Sequence, residues 1–181
     1  MTKTVISYFK LPVLISVVLA IVIMALVPVR LPIQATQIIL GTLIGTFVLD
    51  SEYLLYSFLL EPKQEFSLVM TGFIKHRDIT NVINHIKYHK DQIADKSLNS
   101  GLFQAVLAVL SIFVVSATSS LFAKAFVLSI LASSLYKLAE SYFEGTSNDW
   151  FWAFKTKPTK SGTKIFFGII TAVLAFCLFL I

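Results

Sequence analysis

The fold class of this chain is decided by residues 11–29, which read LPVLISVVLAIVIMALVPV. Ser16 is the only polar side chain among these nineteen residues. A helix of this length reaches about 28 Å, close to the roughly 30 Å hydrocarbon thickness of a bilayer. The stretch therefore predicts a helix that crosses a membrane.

The composition of the whole chain agrees with this first stretch. Of its 181 residues, 56% are apolar and 14% are charged, whereas a soluble domain averages about 45–50% apolar and about 25% charged residues. The single cysteine, Cys177, excludes an intrachain disulfide. These values argue against a water-soluble domain and predict an integral membrane protein.

Apolar blocks recur along the chain and predict an all-α membrane helical bundle in one domain, residues 1–181. We place about five transmembrane helices at residues 11–29, 33–60, 101–118, 121–138 and 165–181. The second block is interrupted, because Asp50 and Glu52 follow an apolar stretch that ends at Leu49. Either one long helix carries both acids at depth, or a helix ends near Asp50 and a second piece lies at the interface.

The segment 63–99 differs from the rest, since it holds all three histidines and six of the fifteen basic residues. Its apolar residues recur at helical spacing, which predicts one or two amphipathic helices with basic polar faces. Asp78 fits the N-cap of the second helix. We expect this segment to contact anionic lipid headgroups. His85 and His89, four residues apart, are interpreted as part of a solvated basic face rather than as a metal site.

Basic residues are strongly segregated in the five-helix topology. With the N-terminus inside, thirteen of the fifteen lie on the cytoplasmic side, and only Arg30 and Lys124 lie outside. Such an excess of Lys and Arg is typical of cytoplasmic loops. We therefore expect the inner, cytoplasmic membrane of a bacterium, with the N-terminus and the segment 63–99 in the cytoplasm.

The same topology brings polar residues of three spans to the inner leaflet. They are Asp50 and Glu52 of the second span, Gln104 of the third, and Lys137 and Glu140 of the fourth. Because a charge at bilayer depth costs about 2.5–3.5 kcal/mol, such residues face a partner, a cavity or water. One interpretation is a polar pocket. In the other, Lys137 pairs with Asp50 or Glu140 and only ties helices together.

Two further patterns indicate contacts rather than chemistry. Gly41 and Gly45 form the small-residue spacing that lets two helices approach closely. This pattern does not predict which helix is the partner. Aromatic residues from Trp150 to Phe154 lie directly before the lysines of the last loop. Their place beside a span favours an interfacial aromatic belt over a nucleic-acid surface, so we expect no nucleic-acid partner.

The stretches at residues 40–52, 98–104 and 135–141 resemble motifs of small multi-pass membrane-bound metal-dependent hydrolases. Residues 40–52, LGTLIGTFVLDSE, are similar to the segment that carries an acidic L-D-x-D-H motif in that group. Residues 98–104, LNSGLFQ, resemble its F-H-S motif before a span, and residues 135–141, LYKLAES, its L-H-x-x-x-D motif. The likeness extends from about Gly41 to the C-terminus, and it implies a metal-dependent hydrolase at the membrane.

The departures from these motifs concern the metal ligands. Tyr53, Asn99 and Tyr136 stand where the motifs have histidines, and imidazole is a principal ligand of zinc. The remaining carboxylates would suit Mg²⁺ or Mn²⁺. However, residues two apart on a regular helix point about 200° apart, so Asp50 and Glu52 could share an ion only where the helix breaks. We therefore expect no metal and no cofactor.

Two classes of function follow from these observations. The first is a non-catalytic scaffold or accessory subunit of a membrane assembly, with other membrane subunits as partners. The alternative is a hydrolase-like membrane enzyme whose acidic pocket at the cytoplasmic leaflet binds a divalent metal. The missing ligand histidines favour the first class, and the convergence of three carboxylates in one leaflet favours the second.

Overall fold

The computed structural model describes residues 2–89, 93 and 97–181, with side chains from Phe9 onward. This part of the chain contains helices and no strand, which confirms the all-α prediction. The elements in chain order are α1 (Thr2–Leu26), α2 (Pro32–Val48), α3 (Ser51–Leu55), a π-helical segment (Tyr56–Leu60), α4 (Glu65–Lys75), α5 (Ile79–His89), α6 (Gly101–Ala117), α7 (Leu121–Glu144), α8 (Ser147–Trp150) and α9 (Lys160–Leu180).

Three helices are long and apolar enough to cross a membrane: the apolar part of α1 (Phe9–Leu26), α7 and α9. A fourth candidate is bent, because α2 and the following Ser51–Leu60 meet at an angle of 50°. Helix α6 is apolar but shorter, with 17 residues. The structure therefore has three to four candidate spans in a helical bundle and does not establish the five that the sequence predicts.

The helices differ in extent from several of the predicted spans. The chain over residues 33–60 is not one straight helix, since α2 ends at Val48 and the chain bends before α3. A helix end near Asp50, which one of the two open arrangements requires, is observed. The predicted span 121–138 continues as α7 to Glu144, where Gly145 adopts a φ of 80° that suits glycine and ends the helix. Helix α1 ends at Leu26, and α9 begins at Lys160.

Helix α7 forms the centre of the bundle. Of its apolar window 61% is buried, compared with 22% for α1 and 17% for α9. Its inward residues, among them Leu128 and Leu131, lose all contact with solvent. Helices α1, α2, α6 and α9 surround it, and their inner residues join one apolar core. The outer faces of α1 and α9 remain apolar and exposed, as expected of helices that face lipid.

The interface between α2 and α7 is unusually close, and we call it the seam; it contains Gly41, Thr42, Gly45, Thr46 and Ser129. A Cβ atom added at Gly45 would lie 2.5 Å from the Phe126 carbonyl oxygen, and one at Gly41 would lie 2.7 Å from the Phe122 carbonyl oxygen. The Ser129 hydroxyl donates to the Thr42 carbonyl oxygen at 2.6 Å and lies 2.8 Å from Thr46 Oγ1. The two glycines therefore pack α2 directly on the backbone of α7.

Helices α4 and α5 form a second, smaller unit, which we call the hairpin (residues 65–89). As predicted, Asp78 caps α5, because its Oδ1 accepts from the Asn81 backbone N–H at 3.1 Å. Phe66 and Met70 of α4 are buried against the aromatic rings of Tyr53 and Tyr56. This aromatic cluster joins the hairpin to the segment that follows the bend.

Candidate functional site

The predicted acidic residues lie where the second apolar segment bends. The Asp50 backbone N–H donates to the Phe47 carbonyl oxygen at 3.1 Å, and the Ser51 hydroxyl donates to the Val48 carbonyl oxygen at 2.6 Å. These bonds close the last turn of α2 before α3 begins. The break that Asp50 and Glu52 would need to share one ion is present, but each carboxylate contacts a different partner.

Asp50 pairs with Lys137 of α7. Lys137 Nζ donates to Asp50 Oδ1 at 2.6 Å, and the two side chains are only 17% and 20% exposed. The same ammonium lies 6.0 Å from the centre of the Tyr53 ring, within the range of a cation–π interaction. Of the two partners that the sequence left open for Lys137, the structure thus has Asp50.

Glu52 binds the chain at the start of α6. It is 3% exposed. Its Oε1 accepts from the Leu98 backbone N–H at 2.8 Å, and its Oε2 accepts from the Asn99 backbone N–H at 3.1 Å and from the Asn99 side-chain amide. That amide also donates to the Leu49 carbonyl oxygen at 3.2 Å. Because a negative charge near a helix N-terminus is stabilising, Glu52 holds α6 firmly against the bend.

Gln104 of α6 contacts an aromatic residue that the sequence analysis placed at the membrane interface. Its Oε1 accepts from the Trp150 indole N–H at 3.1 Å, and both side chains are buried. Phe151 is also buried; its ring packs on Gly101, where an added Cβ atom would lie 2.8 Å from it. The belt interpretation is therefore wrong for Trp150 and Phe151, whose neighbour Trp152 is 40% exposed.

The structure does not gather all five predicted pocket residues. Asp50 and Lys137 form one pair, Glu52 and Gln104 bind other groups, and Glu140 is exposed. Among residues 2–89, 93 and 97–181, no group of three or more His, Cys, Asp or Glu is placed to hold a metal ion. The carboxylates at this level act as acceptors for amides and an ammonium.

Several buried polar atoms around this region have no hydrogen-bond partner in the described part of the chain. They include Asn99 Oδ1, Gln104 Nε2 and the hydroxyls of Ser133 and Ser134. Buried polar groups are normally paired with protein or with an ordered water. These atoms mark where water or a small polar group would be stabilised in the bundle.

The histidines of the hairpin are arranged differently from the solvated face that the sequence predicts. His85 is only 9% exposed, and its ring stacks on Phe66 at 4.6 Å and on His89 at 4.7 Å between centroids. Its Nε2 lies 3.1 Å from the Phe66 carbonyl oxygen. Burial lowers the pKa of His85 from its usual value; the bond to Phe66 opposes this shift and the charge of His89 adds to it. The solvated-face interpretation is therefore wrong for His85.

The signal for this burial was present in the sequence. His85 follows Val82 by three residues, and His89 follows Ile86 by three, so both flank the apolar stripe of α5. Together with Glu65, the two histidines line a cleft of about 360 Å³ between α4 and α5. Because α4 packs beside this face of α5, α5 buries the edge of its apolar stripe as well as the centre of that stripe.

Comparison with known proteins adds no assignment. No family model, no curated protein and no solved structure matches this chain.

Proposed function

We propose that this chain is a non-catalytic scaffold or accessory subunit of a membrane assembly. The observation that carries this proposal is that both acids at the bend are used within the chain. Asp50 accepts from the Lys137 ammonium, and Glu52 accepts from the amides that begin α6. Carboxylates held in this way fix the relative positions of α2, α6 and α7, which is what a scaffold requires.

Five spans with a cytoplasmic N-terminus form part of this proposal. Helix α6 has 17 residues and reaches about 25 Å, which crosses most of a hydrocarbon layer. Counting α6 and the bent pair gives five crossings, and only then do thirteen of the fifteen basic residues share one side. Reporter fusions at Ser119 and after Ile181 should both report the outer side of a bacterial cytoplasmic membrane. A cytoplasmic signal at either position would contradict the topology.

The proposed partners are anionic lipid and other membrane subunits, and not nucleic acid. Lys75, Arg77 and Lys87 of the hairpin are exposed, and each basic residue near an anionic surface is worth about 1 kcal/mol. The hairpin lies outside the candidate spans, which supports contact between these side chains and headgroups on the cytoplasmic side.

The resemblance to membrane-bound metal-dependent hydrolases enters the proposal as a shared fold without the metal chemistry. Asn99 stands where the motif has a histidine, and its amide is bonded to Glu52 and to the Leu49 carbonyl oxygen. This bonding supports a structural use of that position. The unpartnered Asn99 Oδ1 and Gln104 Nε2 favour the alternative, an enzyme whose acidic pocket takes a divalent ion and its water.

Binding of a hard divalent ion separates the two functions. Titration of the full chain in detergent with Mn²⁺, followed by the EPR signal of the free ion, should show no site that depends on the acids at the bend. The enzyme alternative instead requires a saturable site that Asp50→Asn abolishes. Glu61→Gln, which removes an exposed carboxylate outside the bundle, is the matched control. Mn²⁺ binding lost in Asp50→Asn but kept in Glu61→Gln would overturn the scaffold proposal.

A further inference from the structure

The chain between α8 and α9 carries exposed aromatic and basic side chains side by side. We call residues 152–160, which lead from α8 to the first residue of α9, the lysine loop. Trp152 is 40% exposed and Phe154 is 41% exposed. The three basic residues of the loop are exposed as well: Lys155, Lys157 and Lys160. Residues 150–181 contain no Asp and no Glu. The lysine loop therefore combines aromatic rings with a positive charge.

The lysine loop is attached to the bundle through the two aromatic residues that precede it. The Trp150 indole N–H donates to Gln104 of α6 at 3.1 Å. The Phe151 ring lies edge-on to the Phe166 ring of α9, with 5.3 Å between centroids. The Phe154 backbone N–H donates to the Phe151 carbonyl oxygen at 3.0 Å and closes a turn. These contacts hold the loop against α6 and α9.

The position of the lysine loop follows from the helices on either side. Both α7 and α9 are candidate membrane spans. Helix α9 begins at Lys160, and Ile165, five residues later, is 65% exposed. Five helical residues span about 7.5 Å, which is about the depth of the headgroup region on one side of a bilayer. A hydrocarbon region that begins near Ile165 therefore places the lysines at the level of the headgroups.

We propose that the lysine loop is a binding surface for anionic phospholipid headgroups. In this arrangement Lys155 and Lys157 bind phosphate groups, and the rings of Trp152 and Phe154 lie at the membrane interface, where aromatic side chains are enriched. Single-stranded nucleic acid also binds basic and aromatic residues. Lipid is favoured here because the adjacent outer face of α9, which includes Ile165, is apolar and exposed.

This surface is separate from the lipid contact proposed for the hairpin. The hairpin packs on α1 and on the π-helical segment after the bend, whereas the lysine loop is attached to α6 and α9. The inference rests on the proposed function only in that α7 and α9 must lie in a membrane. Mn²⁺ bound by the acids of the bend would overturn the scaffold proposal and leave the lipid contact of the loop unaffected.

Tryptophan fluorescence of the full chain in nanodiscs tests the contact locally. The chain contains two tryptophans, of which Trp150 is buried. The nanodiscs contain equal amounts of phosphatidylglycerol and phosphatidylcholine, and one of the two lipids carries bromine, a contact quencher, on its acyl chains near the glycerol. The difference between the wild type and Trp152→Phe isolates the emission of Trp152. We expect brominated lipid to quench Trp152 strongly and to leave the Trp150 emission of Trp152→Phe almost unchanged.

The preference for the anionic lipid tests the lysines. Brominated phosphatidylglycerol should quench Trp152 more than brominated phosphatidylcholine does. One lysine near an anionic surface corresponds to about a fivefold preference, so the double variant Lys155→Gln/Lys157→Gln should lower the local excess of phosphatidylglycerol by about this factor or more. The matched control Lys63→Gln/Lys75→Gln removes the same charge at two exposed residues that flank or end α4. It should leave the excess unchanged.

Four results would overturn the proposal. They are no quenching of Trp152 by either lipid, equal quenching by the two lipids in the wild type, equal losses of preference in the two double variants, and a Trp152 emission that responds to a single-stranded oligonucleotide but not to brominated lipid. The last result would assign the loop to nucleic acid. Thermal melting of each variant establishes that the fold is intact.

Discussion

The helices of the seam and the helices of the hairpin pack in opposite ways. In the seam, two glycines and three hydroxyl residues bring the backbones of α2 and α7 into direct contact. In the hairpin, two short helices meet through large side chains such as Phe66 and His85, whose rings stack, and a cleft remains between the helices. Lipid is as apolar as a leucine side chain, so helices inside a bilayer gain little from apolar burial and depend on close packing. Outside the bilayer, apolar side chains stabilise the fold by being buried away from water.

This difference predicts that the seam tolerates no added volume, whereas the hairpin is sensitive to lost volume. The two regions also differ in their polar groups. Across the seam the Ser129 hydroxyl donates to the Thr42 carbonyl oxygen, whereas across the hairpin an imidazole makes the polar contact, with His85 Nε2 3.1 Å from the Phe66 carbonyl oxygen. Variants that add a methyl group in one region and remove side-chain atoms in the other test this comparison.

The largest effect is expected from Gly45→Ala in the seam. The new methyl group would lie 2.5 Å from the Phe126 carbonyl oxygen and 2.9 Å from Ser129 Cβ, so the two backbones must separate. We expect a loss of about 3 kcal/mol or more in the free energy of unfolding, at the upper end for overpacking. Gly168→Ala in α9, where nothing lies within 4 Å of the added atom, should leave stability unchanged or raised by up to about 1 kcal/mol. Equal melting temperatures of the two variants in detergent would contradict the close packing of α2 on α7.

A smaller and more local effect is expected from Met70→Ala in the hairpin. Met70 is fully buried, and its sulfur accepts from the Ser57 hydroxyl at 3.3 Å. Removing it should cost about 2–3 kcal/mol. Hydrogen exchange should accelerate in α4 and α5 and remain slow in α2 and α7. Leu68→Ala, on the same helix at a residue 59% exposed, is the control. Faster exchange throughout the seam would show that the two regions are one unit.

Glu52→Gln tests the contact between the bend and α6, with an expected loss of about 2 kcal/mol. The new side chain keeps one accepting oxygen, but its NH₂ group only donates, so one of the two N–H groups at Leu98 and Asn99 loses its acceptor. Glu140→Gln changes an exposed carboxylate and should shift stability by less than about 0.5 kcal/mol. Chemical unfolding of both variants measures the difference. Equal free energies of unfolding for Glu52→Gln and Glu140→Gln would contradict a structural role for Glu52.

The helical class and the small-residue contact of α2 could be predicted from the sequence, because both depend on local spacing. The partner of Gly41 and Gly45 could not, since two-residue patterns carry no information about which distant helix approaches. The bend at Asp50 could be stated only as one of two arrangements. An apolar run followed by an acid is compatible with a helix end or with a charge at depth, and tertiary contacts decide between them.

The sequence identified Asp50, Glu52 and Lys137 as candidate site residues, but it left their partners open. Lys137 was placed near Asp50 and Glu140 by topology alone, and the choice of Asp50 depends on the direction in which the bend turns. Glu52 was expected to face a partner, a cavity or water, and its partners are amides more than forty residues away. Trp150 and Phe151 were assigned to the interface because loop aromatics beside a span usually lie there, but they fill the space around Gly101 and Gln104.

The central claim is that the acids at the bend bind helices together rather than an ion, and a double-mutant cycle on Asp50 and Lys137 tests it most directly. Because both side chains are mostly buried, Asp50→Asn leaves the Lys137 ammonium without its counter-charge. We expect a loss of roughly 2–3 kcal/mol, between the values for exposed and deeply buried pairs. Lys137→Met combined with Asp50→Asn should recover part of that loss, with a coupling energy of about 1–2 kcal/mol. Simple additivity of the two substitutions, measured by unfolding in detergent, would contradict the account.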